Sequence, residues 1–326
     1  MDLIDPFGRI IRDLRISVTD RCNFRCTYCM PEEGMKWVPR SEVLTFEEIE
    51  RLARLFVERF DVTGIRLTGG EPTVRAHLPV LVRKLAALGV DLAMTTNGST
   101  FRNMACELRD AGLRRVNISL DTLERDKFLQ MTRRDELERV LDGIEAAKEA
   151  GFDPVKINAV VERGVNDNEI VALAAYGRDH GVEMRFIEFM PLDATGHWLH
   201  DKVVGQDEIV AALSAAFPLE PVPARGAAPA DRWRYTDGKG MVGIIPTVTK
   251  PFCGDCDRVR MTADGQFRTC LFATDEFDLM KMMRAGASDD EVAAEIQRAV
   301  GNKWAGHQIN QVTFVKPRRT MSQIGG

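Results

Sequence analysis

The 326-residue chain has no unbroken apolar run near its start, where MDLIDPFGRIIRD carries acids and arginines early. Neither a signal peptide nor a membrane span is expected there, and a cytoplasmic protein is. A surplus of positive charge is also missing. Forty-four Lys and Arg face 49 Asp and Glu, a net charge of −5, which argues against a broad nucleic-acid or anionic-membrane surface. Any polyanion must therefore be met by a local basic site. Internal repeats of fixed sequence and low-complexity tracts are lacking. Seven cysteines are too few for the framework of a small disulfide-stapled secreted domain, and they cluster, which points to metal. What remains is an ordinary globular composition, 44% hydrophobic and 29% charged. At ~150 residues per domain the length suggests two domains, although one α/β barrel can absorb ~250.

From residue 14 to about 217, short β-branched runs alternate with helix-length segments of period near 3.6. The runs are Leu14 to Thr19, Gly64 to Thr68, Leu92 to Thr96, Arg115 to Leu120, Pro154 to Val161 and Glu183 to Met190. Between them, TFEEIERLARLFVERF opens on a capping box, Thr45 with Glu48, and DELERVLDGIEAAKEAG ends at Gly151. Six βα units demand parallel strands with right-handed crossovers. An incomplete (β/α)6 barrel of the TIM type is favoured over a flat doubly wound sheet, because the motif residues fall at the C-terminal strand ends, where barrels gather function. PLEPVPARGAAPAD, residues 218–231, reads as a linker. The expected division is 1–220 for the barrel, 221–231 for the linker and 232–326 for a small α+β domain.

Cys22, Cys26 and Cys29 follow the first strand as CX3CX2C. Iron-sulfur clusters are normally held by four thiolates, so three around a four-iron cluster leave one iron open to another ligand. A zinc site completed by a distant fourth ligand is the plainer alternative. A second trio, Cys253, Cys256 and Cys270, is spaced CX2CX13C. A zinc ribbon is its alternative, with His307 the nearest downstream candidate for a fourth ligand. Cys106 stands outside both trios and reads as a buried, small apolar side chain.

CNFRCTYC followed by Gly69-Gly70-Glu71-Pro72 resembles the radical S-adenosylmethionine (SAM) superfamily. Two three-cysteine loops together with Arg258 and Arg260 resemble, within it, the GTP 3′,8-cyclase family that begins molybdenum cofactor biosynthesis. The blocks IRDLRISVTDRCNFRCTYCMP, IRLTGGEP, TTNG, LRRVNISLDTL, VKINAVV, MRFIEFMP, FCGDCDRVR, CLFAT and the final Gly325-Gly326 occur in order along nearly the whole chain. The resemblance implies two [4Fe-4S] clusters, on Cys22, Cys26 and Cys29 and on Cys253, Cys256 and Cys270, each with an open iron. The first binds SAM and the second the guanine of GTP. It implies Tyr28, Gly70, Ser119 and Met190 as SAM contacts, with Arg185 beside the reaction. Gly69 and Gly70 are expected to let backbone approach the methionine end of SAM, and Glu71 to answer its ammonium. Arg15, Arg66, Thr95, Lys156, Arg258, Val259 and Arg260 are implied as GTP contacts, the basic ones neutralising a triphosphate of about four charges. The Gly325-Gly326 tail is implied to enter the active site.

The product implied is (8S)-3′,8-cyclo-7,8-dihydroguanosine 5′-triphosphate. Implied partners are GTP, a reductant or electron-donor protein, and a downstream cyclic pyranopterin monophosphate synthase. No nucleic acid or membrane is expected, and the chain is expected as a monomer or homodimer. The competing readings are a radical SAM enzyme acting on a peptide with an auxiliary cluster, and a non-catalytic, zinc-dependent nucleotide-binding protein.

Overall fold

The computed structural model describes residues 1–193, 196–223 and 225–325. In chain order the elements are β1 Asp13–Ser17, α1 Phe46–Phe60, β2 Gly64–Thr68, α2 Leu78–Ala86, β3 Asp91–Thr96, α3 Ala105–Asp110, β4 Arg115–Ser119, α4 Arg125–Thr132, α5 Leu137–Glu149, β5 Lys156–Val161, α6 Ile170–His180, β6 Glu183–Glu188 and α7 Gln206–Ala216. There follow β7 Leu219–Val222, β8 Asp231–Tyr235, β9 Met241–Ile245, β10 Arg258–Met261, β11 Gln266–Arg268, β12 Phe277–Asp278, α8 Leu279–Arg284, α9 Asp289–Val300 and α10 Met321–Ile324.

The expected local signals operate. Thr45 and Glu48 form the reciprocal capping box of α1, whose Ile49, Leu52, Ala53, Phe56 and Phe60 are buried along one stripe. Gly151, just beyond α5, takes φ +78°, the left-handed conformation that ends helices and suits glycine. Strands are two-faced. In β1, Leu14 and Ile16 enter the core while Asp13 and Arg15 turn to the other side, as the period-2 pleat requires.

β1 to β6 pair in sequence order, all parallel, so six βα units build the expected α/β barrel. The C-terminal part adds to the same sheet. β10 pairs parallel with β1, and β9 parallel with β6, giving the order β12-β11-β10-β1-β2-β3-β4-β5-β6-β9-β8-β7. Side chains from β10, β1 to β6, β9 and β8 line one cavity, so the sheet curls into an open barrel.

The segment expected as a linker is corrected here. It begins within β7 and ends on the first residue of β8, and these two strands pair antiparallel as a hairpin at the sheet edge. Pairing satisfies backbone groups that a Pro- and Ala-rich composition does not advertise. One continuous core holds both halves: Phe267 of β11 packs on Phe56 of α1 with ring centroids 5.6 Å apart. A smaller core gathers Leu192, Val203, Val248, Phe272, Ile309 and Ile324. Among the described residues no helix is long and apolar enough to cross a membrane.

Candidate active site: two cysteine loops on one cavity

The first cysteine loop leaves β1 and is pinned from outside. Arg25 and Thr27 donate their amides to the carbonyls of Thr132 and Met131 at 3.0 and 2.9 Å. Within the loop, Cys29 and Met30 both donate to the Cys26 carbonyl at 2.9 Å, so Cys26 and Cys29 sit on one turn. The Phe24 amide points at the Cys22 sulfur, 3.4 Å away. Burial pushes the thiols up, Cys22 to about 12 and Cys29 to about 11. Thiolates in such a place need a metal's positive charge to persist. Tyr28 donates its hydroxyl to Asp121 at 2.7 Å, and burial raises Asp121 to about 6.

Gly69-Gly70 packs on this loop. A Cβ on Gly69 would overlap the Thr19 carbonyl oxygen and one on Gly70 the Arg21 carbonyl oxygen, while Gly70 and Glu71 donate their amides to Thr19 and Arg21, both at 2.8 Å. The glycines therefore serve a backbone-to-backbone approach between two loops, besides bordering the cavity. Glu71 borders the cavity and is also engaged within the protein. Only 1% exposed, its Oε1 accepts from Thr73 N, Thr73 Oγ1 and Thr96 Oγ1, and Oε2 accepts from Asn97 N at 2.6 Å. Its oxygens are engaged equally by Thr73 of its own turn and by the β3 end, and Oε2 keeps room for a further donor.

The second trio faces the same cavity. Cys253 and Cys256 bracket a short turn closed by Cys256 N on the Cys253 carbonyl at 3.2 Å, and Phe272 N lies 3.5 Å from the Cys270 sulfur. Burial pushes Cys256 up, but Arg258 and Lys303 more than offset it and leave the thiol below its ordinary value. His307 is not a spare ligand. Its Nε2 lies 2.6 Å from the Thr247 carbonyl, which fixes it as the protonated nitrogen, and Nδ1 faces the Ile309 amide at 3.4 Å. Among the described residues no group of three or more His, Cys, Asp or Glu is disposed to hold a single metal ion.

Between the trios lies a cavity of about 560 Å³ lined by eight basic residues and four acids. Arg15 and Arg66 are register partners on β1 and β2, and Arg15 and Arg260 on β1 and β10, so three guanidiniums share one layer. Lys156 of β5, Arg185 of β6 and Arg258 of β10 complete the ring. Burial pushes Arg66 down to about 9, with Arg15 adding to it, and Lys156 down to about 8, with Arg185 adding to it. Arginine keeps its proton; the shift expresses buried positive charge that Asp13 offsets only in part and an anion would relieve. Arg15 Nε, Arg66 Nε, Arg258 Nη2 and Asn158 Oδ1 are buried without hydrogen-bond partners, and buried orphans of this kind mark a ligand's place. The donor set thus fits sulfur-ligated clusters and a polyanion.

The expected site residues largely converge. Cys22, Cys26, Cys29, Tyr28, Gly69, Gly70, Glu71, Ser119, Met190, Arg15, Arg66, Thr95, Lys156, Arg185, Arg258, Arg260, Cys253, Cys256 and Cys270 all border the cavity. Arg185 is held by Glu183, Nε to Oε1 at 2.6 Å. Val259 is a correction: its side chain is fully buried in the core, between two strand neighbours that face the cavity, because alternate residues on a strand take opposite faces. Only its backbone remains for a ligand. Cys106 is a second correction, being exposed. Gly325, at φ +91°, sits where a Cβ would overlap the Ser17 hydroxyl. Its carbonyl accepts from Arg260, Ser17 donates to the Ile324 carbonyl at 3.1 Å, and Met321 and Ser322 line the cavity. Gly326 lies outside the described residues. Asn158, expected beside Lys156 on the fifth strand, lines the cavity, as do Asp121, Asn117, Phe252, His307 and Arg232; only strand alternation, applied to every inward position, offered a signal for Asn117.

Residues 16–176 match the Radical SAM superfamily, and residues 182–309 match Molybdenum Cofactor Synthesis C. The chain is 48% identical over 328 residues to GTP 3′,8-cyclase of Streptomyces coelicolor, covering 99% of this chain and 96% of the relative. It is 49% identical to GTP 3′,8-cyclase of Rhodopirellula baltica, covering 99% and 92%. In fold it is similar to SuiB of Streptococcus suis, with a TM-score of 0.65 at 13% identity over 96% of this chain and 77% of that one. On these grounds the chain belongs to the GTP 3′,8-cyclase family of radical SAM proteins.

Proposed function

We propose that this chain catalyses the first step of molybdenum cofactor biosynthesis, cyclising GTP to (8S)-3′,8-cyclo-7,8-dihydroguanosine 5′-triphosphate. The observation that carries the reading is one cavity bounded by two cysteine trios and lined by buried guanidinium nitrogens that lack hydrogen-bond partners. Cys22, Cys26 and Cys29 would hold the first [4Fe-4S] cluster, and Cys253, Cys256 and Cys270 the second. Bound with SAM, the first cluster supplies one-electron chemistry that delivers a hydrogen-abstracting radical.

The chain's own residues do the rest. Tyr28, Gly69, Gly70, Glu71, Ser119 and Met190 border the SAM end, with Arg185 steadied by Glu183. Arg15, Arg66, Lys156, Arg258 and Arg260 neutralise the triphosphate and Thr95 steadies Arg66. Removal of the ribose 3′ hydrogen is productive only when that carbon is held within bonding reach of guanine C8, so orientation is the protein's main contribution. Cys253, Cys256 and Cys270 would hold the second cluster so that its open iron is offered to the guanine, and the tail at Gly325 would close the cleft beside Arg260. A reductant or electron-donor protein must supply electrons, and cyclic pyranopterin monophosphate synthase would receive the product. A cytoplasmic location accords with these partners.

Anaerobic incubation with SAM, dithionite and GTP tests the reading. Mass spectrometry is expected to find 5′-deoxyadenosine with the cyclised triphosphate; colourless, zinc-loaded protein yielding neither would refute it.

A further inference from the structure

Two buried cations from opposite ends of the chain converge on the second cysteine trio. Arg9, 8% exposed, pairs with Asp5 through Nε at 2.5 Å. Its other nitrogens donate to three carbonyls: Nη1 to Cys253 and Ala305, both at 2.6 Å, and Nη2 to Trp304 at 2.5 Å. Lys303, 3% exposed, donates through Nζ to the carbonyls of Arg258 at 2.6 Å and Thr269 at 2.5 Å. Arg9 thus fastens Cys253 to segment 304–305. Lys303, at the head of that segment, fastens the residues two after Cys256 and one before Cys270.

The charge balance differs between the two. Asp5 compensates Arg9, and Asp5 is itself held by the amides of Phe7 and Arg9 at 2.9 and 3.0 Å. No carboxylate lies within ion-pair distance of Lys303 among the described residues, and the two carbonyls that hold its Nζ belong to residues two after Cys256 and one before Cys270. A buried ammonium without a carboxylate needs another anion, and thiolates of a metal-loaded trio are the anions at hand.

We propose that Arg9 and Lys303 are positioning residues that clasp the three cysteine-bearing segments of the second trio into ligating order, Lys303 also supplying the counter-charge for its thiolates. The inference rests on reading that trio as a cluster site.

The test uses the anaerobically reconstituted full chain, the Lys303→Met variant, and the paired Asp5→Asn/Arg9→Gln variant, which avoids stranding a buried carboxylate. Iron and sulfide per chain are measured, with spectra of the reduced protein with and without GTP, the second cluster's midpoint potential, and SAM cleavage without GTP. The wild type is expected to hold about eight irons and each variant about four. The variants should lose the GTP-induced spectral change while SAM cleavage stays within about twofold of wild type, since the first trio is untouched. A variant that keeps both clusters overturns the ordering role; a lower second potential in such a Lys303→Met protein supports the counter-charge alone, because a positive charge has gone. Full iron with unchanged potential and GTP response overturns the clasp, as does joint loss of both clusters, which marks a general folding role. A wild type holding zinc or only about four irons overturns the underlying reading instead, and the clasp with it.

Discussion

Lys156 shows how burial shapes the charge of a single cavity-lining residue. Burial and Arg185 bring its ammonium down to about 8, so it is partly neutral at mildly alkaline pH. A neighbouring triphosphate favours the charged form and lifts that value, so binding takes up a proton above about pH 8 and none well below. GTP affinity is expected to be flat on the acid side and to fall by up to about tenfold per pH unit above. Titration calorimetry in buffers of different protonation enthalpy should read the uptake, and Lys156→Met should abolish it. Arg258, stacked on Phe252 at 4.6 Å, has a different signature. Arg258→Gln should weaken GTP binding more at low than at high ionic strength, because salt already screens part of the lost attraction. A salt slope equal to wild type would remove Arg258 from the phosphate site.

At the scale of elements, the Gly69-Gly70 loop and the C-terminal tail are both close approaches that a methyl group prevents. Gly69, at φ +145°, abuts backbone of the first cysteine loop, so relief requires a loop to move rather than a side chain to turn. Gly69→Ala is expected to cost on the order of 2–4 kcal/mol in denaturant unfolding and to reduce loading of the first trio. Unchanged stability and iron would show that the loops separate freely. Gly325→Ala meets the Ser17 hydroxyl and Thr68, and should expel the tail from Arg260. Iron content should hold while turnover falls at least about tenfold; normal turnover would make the tail a passenger.

For the whole molecule, the sheet's edges matter most. β10 covers the open side of β1 and β9 that of β6, and the core is shared between the halves. Deleting residues from Leu219 onward would bare two parallel strand edges and the apolar surface under α8 and α9. Such edges invite association. The truncated chain is therefore expected to aggregate in size-exclusion chromatography with light scattering, whereas a soluble monomer would show that the six-unit barrel folds alone.

Local chemistry written in short stretches of sequence was sufficient for the six strands of the barrel, the Thr45 capping box, the helix end at Gly151 and both cysteine trios, because each depends on spacing within a few residues. Strand alternation also put Arg15 and Arg66 on known strands, but not their facing direction. That was decided by which face the helices cover. Tertiary structure alone paired β10 with β1 and β9 with β6, turned the apparent linker into a hairpin, put Val259 in the core, engaged both nitrogens of His307, and brought donors from the β3 end to the Glu71 carboxylate. Arg9 and Lys303 owe their meaning to partners more than 30 residues away in sequence. Contacts of that range are set by how the sheet closes and what it buries, and a one-dimensional pattern carries no record of either.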